Sequence, residues 1–288
     1  MNLDGVIHRH FPVQEQSWTW KDSALYALGL GFCSDPLDTG ELRYVYEQGS
    51  QLAVPSQCLV LGWPGIWHRE PETGIDWKRA LHGEQFFEIH RPLQPAGAIK
   101  AHHRVLAVDD KGPGRGLVLH FETRLEDADT GEPCVTLRAT QFLRGDGGSG
   151  SHGEVPSYPP SAPLTGEPDR VVEFRTIPQA ALLYRLSGDD MPLHADPAVA
   201  RDAGFDRPIL HGLCSLGIAC RAILQAYVPG RPEEIRSMFT RFTAPVYPGE
   251  TLRLDFFEDG DRIRFRARVV ERDVVVLDRG ECALGVRR

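Results

Sequence analysis

Hydrophobic and polar residues alternate along most of the last part of the chain, and one apolar segment precedes this alternation. In "GLCSLGIACRAILQAY", from Gly212 to Tyr227, apolar side chains recur every three or four residues and small residues fill the other faces. This spacing predicts a helix that is enclosed on almost all sides. The residues that follow alternate with the period of two typical of strands, around a turn at "EDGD". They predict an antiparallel meander in "TLRLDFF", "RIRFRARVV" and "VVVLDRGECAL".

The first half of the chain ends in a similar pattern. "AIKAHHRVLAVDD" and "LVLHFETRLEDADTGEPCVTLRATQFL" alternate on either side of a turn at "KGPGRG". An antiparallel sheet wrapped around one enclosed helix is the hot-dog architecture, and two copies make a double hot dog. We therefore predict an α+β fold with two antiparallel sheets, each wrapped around a central helix.

The two halves also resemble each other as sequences. "ALYALGLG" corresponds to "LLYRLSGD", which matches Tyr26 with Tyr184, and "VPSQCLVL" corresponds to "RPILHGLCSL". In the second match Pro208 follows Pro55 by 153 positions (208 − 55). A third match, "RPLQPAG" with "APVYPGE", comes in the same order. Three ordered matches predict an internal duplication.

A segment rich in Gly, Pro and Ser, "RGDGGSGSHGEVPSYPPSAPLTGEPD", separates the halves. Its composition is typical of a surface connection. We expect an N-terminal hot-dog domain at 1–145, a linker at 146–168 and a C-terminal hot-dog domain at 169–288. The N-terminal copy has "GFCSDP" where the C-terminal copy has its acids and histidine. We therefore expect the C-terminal copy to be catalytic and the N-terminal one to be degenerate.

Composition and charge exclude several classes of partner. The 288 residues carry a formal net charge of -8, which argues against nucleic acid or an anionic membrane as partner. No apolar run is long enough to cross a bilayer, the N-terminus lacks the apolar core of a secretory signal, and "GVRR" is not a peroxisomal tripeptide. The six cysteines show no metal-binding spacing. We expect reduced thiols, no bound metal and a cytoplasmic protein.

The loop "SGDDMPLHADP" carries the strongest candidate chemistry. Asp189 and His194 stand five residues apart on either side of Met191 and Pro192. The proline prevents a helix, and a bend there can bring the carboxylate and the imidazole together over one small volume. Such a pair can hold a water, accept its proton and return it elsewhere. The alternative is that the acid caps a turn and the histidine has no catalytic role.

Gly212 at the start of the enclosed helix suggests a second element of a site. The first amides of a helix have no partner within the helix and lie at its positive end. Since glycine has no side chain, a substrate carbonyl can approach its N–H closely, and such an oxyanion site contributes about 3 kcal/mol in comparable enzymes. The alternative is close packing of the helix start. We expect His211 to be structural.

At this point the sequence resembles a known family. "YRLSGDDMPLHADPAVARDAGFDRPILHGLCSLGIA" is similar to the signature of the MaoC-like, (R)-specific enoyl-CoA hydratase 2 family. "LHGEQFFEIHRPL", "VDDKGPGRG" and "RFTAPVYPGETL" also resemble its double-hot-dog members. The resemblance implies that Asp189 and His194 are the catalytic acid and histidine, and that the Gly212 amide polarises the thioester carbonyl.

The same resemblance implies residues that contact the acyl-CoA substrate. They are His82, Gly83, Lys111 and Phe242. A cation at Lys111 also suits a phosphate of CoA, although a solvated turn lysine is the alternative.

The chain departs from the family at Met191, where an asparagine is usual. A thioether cannot replace the hydrogen bonds of an amide. Three interpretations are open. Asp190 or another group substitutes for the amide; the enzyme is slower, or its substrate requires an apolar contact with Met191; or the site is impaired. Because Asp189, His194 and Gly212 are all present, we favour a working enzyme.

The expected function is the reversible hydration of trans-2-enoyl-CoA to (3R)-3-hydroxyacyl-CoA by a hydro-lyase without cofactor. We expect a homodimer, by analogy with other hot-dog proteins. If "VPSQCLVLGWPGIW" disrupts the first central helix, a groove can open for medium, long or bulky acyl chains. The alternative is that this half only completes the fold. An impaired acyl-CoA-binding protein is one alternative. An acyl-CoA thioesterase is the other, but the helix after Gly212 carries no acid.

Overall fold

Ten strands form one antiparallel sheet in this computed structural model, which describes residues 1–158 and 163–285. The sheet order is β1-β3-β4-β5-β2-β7-β10-β9-β8-β6. The strands are β1 (Gln14–Trp18), β2 (Ala80–Ile89), β3 (Gly97–Asp110), β4 (Leu117–Asp127), β5 (Pro133–Leu143), β6 (Arg170–Arg175), β7 (Ile235–Phe242), β8 (Thr251–Asp259), β9 (Arg262–Val269) and β10 (Val274–Leu284). The α-helices are α1 (Leu3–Ile7), α2 (Trp20–Gly29), α3 (Thr39–Leu42), α4 (Ala180–Tyr184), α5 (Pro197–Asp202) and α6 (Gly212–Tyr227).

The two halves of the chain meet at the pair β2 and β7. These strands are antiparallel neighbours, with Phe87 opposite Met238 and both side chains fully buried. Counted outward from this seam, both halves have five strands in the same relative order. That symmetry is what a duplication predicts, and the double hot dog is confirmed. The two predicted sheets are joined edge to edge into one.

The central helix of the second half is α6. It covers the predicted residues Gly212–Tyr227, and thirteen of its sixteen side chains are buried. The inward residues of β8 and β9, such as Leu254 and Phe265, pack in the same core. The curved antiparallel sheet encloses most of this apolar helix, and only Gln225 among its residues is exposed, which explains why the sequence lacks a polar stripe there.

One buried charge departs from the apolar expectation for α6. Arg221, with 3% of its surface exposed, forms an ion pair with Glu41, which is 4% exposed. Nη2 of Arg221 lies 2.9 Å from the second carboxylate oxygen of Glu41, and Gln225 and the N–H of Cys33 also donate to this carboxylate. Because the charges are matched and hydrogen-bonded, they can remain buried. This ion pair connects α3, which carries Glu41, with α6, which carries Arg221.

The first half has no long central helix. Its counterpart is a 3-10 helix, Pro55–Val60, whose six residues are all buried. The hydroxyl of Tyr26 on α2 donates to the carbonyl of Ser56 at 2.8 Å, and the Tyr26 ring lies 5.7 Å from that of Tyr184 on α4. The two tyrosines matched in the sequence therefore meet in space. The expected disruption of the first central helix is present.

All six cysteines are free thiols, and five of them are buried. In the described part of the chain, no helix combines the length and apolarity needed to cross a bilayer.

Candidate active site

The loop that carries Asp189 and His194 begins at Gly188, after α4 and a 3-10 turn at Arg185–Ser187. Gly188 has φ = 148°, and a Cβ at this position would lie 2.8 Å from the carbonyl oxygen of Val60. The sharp turn directs the next residue, Asp189, into a half-buried position. There the carboxylate accepts the main-chain N–H of Met191 at 3.2 Å. The main chain of Met191 thus supplies a hydrogen bond that its side chain cannot.

His194 ends the short 3-10 turn Pro192–His194 and is buried. Its Nδ1 lies 2.9 Å from the carbonyl oxygen of Ile209. A carbonyl only accepts hydrogen bonds, so Nδ1 carries the proton and Nε2 keeps its lone pair. The fold therefore presents His194 as a neutral base with one defined tautomer.

The environment moves the pKa values of the two groups toward each other. Burial raises the pKa of Asp189, and the neighbouring His194 and the Met191 N–H oppose that rise. Burial lowers the pKa of His194, against the attraction of Asp189. Both shifts favour the uncharged form of each group, because burial penalises charge.

Gly212 is the first residue of α6 and follows the buried His211. A Cβ on Gly212 would lie 3.1 Å from the ring of Phe242. The absent side chain leaves the helix start open to a close approach, and helix-start amides have no partner within the helix. Asp189 and His194 are called the dyad below. The structure thus places a candidate oxyanion donor, the Gly212 N–H, one residue after His211, which contacts both members of the dyad.

Phe242 links this helix start to the first half of the chain. Its ring meets the His82 ring edge to face, with 4.8 Å between centroids. His82 lies on β2 and is exposed, whereas Phe242 ends β7. The two strands adjoin at the seam. The structure therefore brings Gly212, Phe242 and His82 together, and the wall of the site draws on both halves.

Gly83 has a clear structural role. It is the extra residue of a β-bulge, because His82 pairs with Gln141 and Glu84 pairs with Thr140. A Cβ on Gly83 would lie 2.8 Å from Oγ1 of Thr140. The bulge changes the direction in which His82 points, as bulges beside functional sites do.

Lys111 lies apart from these residues, in the turn between β3 and β4. It is half exposed and pairs with Asp109. The adjacent Asp110 carboxylate accepts the N–H groups of Gly112, Gly148 and Gly150, which joins this turn to the loop after β5. These three bonds lower the pKa of Asp110. No described hydrogen bond, ion pair or ring contact connects Lys111 with the dyad.

His211 is a site residue whose importance the sequence reasoning missed. Its ring stacks on His194 with 3.7 Å between centroids and 28° between planes, and its Nε2 lies 3.1 Å from the carbonyl oxygen of Asp189. It makes no side-chain cap to the helix. A histidine placed directly before a helix-start glycine is the only signal for this role in the sequence.

The three clustered side chains do not suit a metal ion. Asp189, His194 and His211 each have one donor atom within 4.8 Å of the others. However, imidazole lone pairs lie in the ring plane, and two stacked rings direct them alongside each other. Nδ1 of His194 and Nε2 of His211 also face main-chain carbonyls. We therefore assign none of the three as a metal ligand.

A cleft of about 190 Å³ lies away from the dyad. Pro55, Ile89 and Pro95 contribute to its lining. Ile89 precedes Phe242 by the same 153 positions (242 − 89) that separate Pro55 from its counterpart. By this offset, Ile89 in the lining corresponds to Phe242 in the second half, and none of the lining residues is a histidine.

Comparisons with known proteins match both halves of the chain. The profile described as "MFE-2 hydratase 2 N-terminal domain" matches residues 17–145, and "MaoC like domain" matches residues 149–279. "Enoyl-CoA hydratase 2, peroxisomal" of Arabidopsis thaliana is 37% identical over 295 residues, which cover 96% of this chain and 93% of that protein.

Solved structures agree. The MaoC-like dehydratase of Phytophthora capsici superposes with a TM-score of 0.84 at 31% identity and covers 100% of both chains. The full-length peroxisomal multifunctional enzyme type 2 of Drosophila melanogaster gives a TM-score of 0.82 at 34% identity, over 95% of this chain and 48% of that one. The chain thus spans about half the length of the Drosophila enzyme. With both halves matched, and with a relative of similar length aligned almost throughout, the chain belongs to the MaoC-like enoyl-CoA hydratase 2 family.

Proposed function

We propose that the protein catalyses the reversible addition of water to a trans-2-enoyl-CoA, giving a (3R)-3-hydroxyacyl-CoA. The observation that carries this proposal is the position of the dyad beside the start of α6. His194 keeps a free Nε2 lone pair, and His211, which stacks on it, directly precedes Gly212. A base for water and a donor for an enolate oxygen are the two groups that this reaction needs. The (3R) configuration rests on the similarity to the family.

In the proposed mechanism, the thioester carbonyl of the substrate accepts the N–H of Gly212. Asp189 and His194 hold a water over C3 and take one of its protons while the oxygen bonds to C3. The π electrons of the C2–C3 bond move toward the carbonyl, and the resulting enolate is stabilised at Gly212. The dyad then returns a proton to C2 on the same face. Atoms and charge balance without a metal or a redox cofactor.

We propose that the N-terminal half, 1–145, accommodates the acyl chain or the CoA, while 169–288 supplies the catalytic groups. A six-residue 3-10 helix replaces a sixteen-residue helix in the first half, which supports medium, long or bulky acyl groups as substrates. His82, Gly83 and Phe242 would contact the substrate beside Gly212, and Lys111 would contact a phosphate of CoA. The contact between His82 and Phe242 supports the first of these assignments.

The impaired acyl-CoA-binding protein remains the second candidate, because Met191 is half-buried in the catalytic loop. A thioesterase has less support. Glu41 lies against α6, but Arg221 holds it in a buried ion pair where it cannot activate water.

We also propose a cytoplasmic homodimer. Free, mostly buried thiols support a reducing compartment, although the Arabidopsis relative is named peroxisomal. The homodimer rests on the general behaviour of the fold. Light scattering would test the dimer, and fractionation of the source cells would test the compartment.

The test of function is the loss of enoyl-thioester absorbance with trans-2-enoyl-CoAs of short, medium and long chain, with the product configuration determined by chiral analysis. His194→Ala should abolish turnover, whereas His10→Ala, a change at an exposed histidine, should not. Turnover that survives in His194→Ala would refute the mechanism. Tight binding without turnover in the wild type would establish the acyl-CoA-binding alternative, and free CoA release would establish the thioesterase.

A further inference from the structure

His211 occupies the space directly behind the dyad. Only 1% of its surface is exposed. Its Nε2 reaches the main-chain carbonyl of Asp189, and its ring covers one face of the His194 ring. One buried side chain therefore contacts both members of the proposed acid–base pair, although neither contact involves the atoms that would meet a substrate.

We propose that His211 is a positioning residue, which fixes the Asp189 main chain and the His194 ring in the geometry that hydration needs. The inference rests on the proposed hydratase function for its kinetic test. Because the carbonyl of Asp189 only accepts hydrogen bonds, Nε2 of His211 carries the proton. Burial, together with the nearby His194 and Arg185, lowers the pKa of His211 to about 2. His211 is therefore neutral wherever the enzyme works, and it does not exchange protons itself.

The two contacts restrain different parts of the dyad. The hydrogen bond holds the peptide that follows Asp189, and the side chain of Asp189 projects from the start of that peptide. The stack fixes the plane of the His194 ring, whose edge is already held by the carbonyl of Ile209. Tyr184 packs on His211 at 5.0 Å from another side. With both groups held before substrate arrives, little reorganisation remains for the reaction.

The His211 ring also excludes water from the dyad. The charged or titratable groups that face the pair in the described part of the chain are Asp190, beside Asp189, Arg185, beside His211, and the buried Tyr184, which packs on His211 and interacts with Asp189. Replacing His211 with a smaller, unstacked side chain lets water reach His194. The desolvation of His194 then decreases, and its pKa rises toward the ordinary value for histidine.

Two substitutions separate the contacts. His211→Phe keeps a stacked ring but loses the hydrogen bond, and His211→Gln keeps an N–H donor but loses the ring. His103→Phe is the matched control. Like His211, His103 is buried and neutral. Its ring stacks on Phe121, and its Nδ1 makes one hydrogen bond with Thr123. It lies on β3, in the first half of the chain. Thermal unfolding of each variant identifies the temperature at which all are folded.

We expect kcat to fall 10- to 100-fold in both His211 variants while KM for the enoyl-CoA changes less than threefold. In an NMR titration of the histidine rings, the pKa of His194 should rise in His211→Gln and stay in place in His211→Phe. His103→Phe should leave kcat and the pKa of His194 unchanged.

The inference is overturned if kcat stays within twofold of wild type in both His211 variants, or if it falls only as far as in His103→Phe. Failure of the proposed function is a different result. A wild-type protein that hydrates no enoyl-CoA refutes the hydratase, while the NMR titration still decides on His211. An unchanged pKa of His194 in His211→Gln then overturns the inference by itself.

Discussion

The main-chain N–H of Met191 donates a 3.2 Å hydrogen bond to the carboxylate of Asp189. This bond needs only the turn that Gly188 and Pro192 impose, and any residue other than proline at position 191 can supply it. The Asp189 carboxylate is therefore oriented even though the thioether side chain makes no useful hydrogen bond. This bond supports the proposal of a working site with methionine at position 191.

The first prediction concerns Met191→Asn. The substitution keeps the main-chain bond and adds an amide that can hydrogen-bond the carboxylate or its water, so kcat on straight-chain enoyl-CoAs should rise about two- to tenfold. Steady-state kinetics with several chain lengths would measure the change. Met191→Leu, which retains the apolar volume, should match wild type. A fall in kcat for Met191→Asn would show instead that the substrate requires an apolar contact here.

The second prediction concerns Gly212→Ala. The added methyl would stand 3.1 Å from the Phe242 ring and obstruct the approach of a thioester oxygen to the helix-start amide. We expect kcat to fall by about 10²- to 10³-fold, the usual effect of losing one oxyanion donor.

The double variant Gly212→Ala with Phe242→Leu distinguishes packing from chemistry. The smaller leucine makes room for the methyl, so stability should recover while kcat remains below that of Phe242→Leu alone. If the double variant recovers the activity of Phe242→Leu, the role of Gly212 is to accommodate the phenylalanine and not to bind an oxyanion.

The third prediction concerns the buried ion pair. Glu41→Gln leaves the guanidinium of Arg221 inside the protein without a counter-charge, and we expect the free energy of unfolding to fall by about 3 to 5 kcal/mol. Urea denaturation would measure it. The apolar pair Glu41→Leu with Arg221→Met should recover at least half of that loss. A double variant less stable than Glu41→Gln would contradict the assignment of the loss to an unpaired charge.

The fourth prediction concerns acid. Burial lowers the pKa of His103 from 6.5 to about 4, so the folded state binds this proton less tightly than the unfolded chain does. The stabilisation is complete above pH 6.5 and is lost as pH falls toward 4. Between pH 7 and pH 5 the loss from this residue is about 2 kcal/mol.

His103→Phe should therefore flatten the decline of stability with falling pH, whatever its effect at neutral pH. Urea midpoints at several pH values in that range, for wild type and variant, would show it. Parallel curves for the two proteins would mean that His103 is solvated and titrates normally.

Much of the fold is predictable because its signals are local. The alternation in "TLRLDFF" and "RIRFRARVV" identified β8 and β9, and the spacing after Gly212 identified α6 within its observed bounds. The match of Tyr26 with Tyr184 predicted a duplication, and the structure additionally places their rings 5.7 Å apart. Hydrophobic periodicity and internal repeats can both be found by comparing positions within one sequence, without knowledge of the fold.

The features that were missed depend on residues distant in the sequence. Arg221 can lie inside an apolar helix only because Glu41, 180 positions earlier, reaches it. The contacts of His211 are with a loop about twenty residues before it. Gly83 reads as an ordinary strand glycine until its partner strand reveals the bulge. Spacing along one segment carries no information about such partners.

The seam between β2 and β7 has a consequence for assembly. Hot-dog domains that pair as separate chains depend on concentration, and dilution separates them. Here both halves lie on one chain and share one hydrogen-bonded sheet, so each half meets the other at an effective concentration fixed by the tether. The wall that joins His82 to Phe242 therefore persists at any dilution. The N-terminal copy therefore does not have to be an interchangeable partner, and its sequence can diverge while it still completes the C-terminal copy.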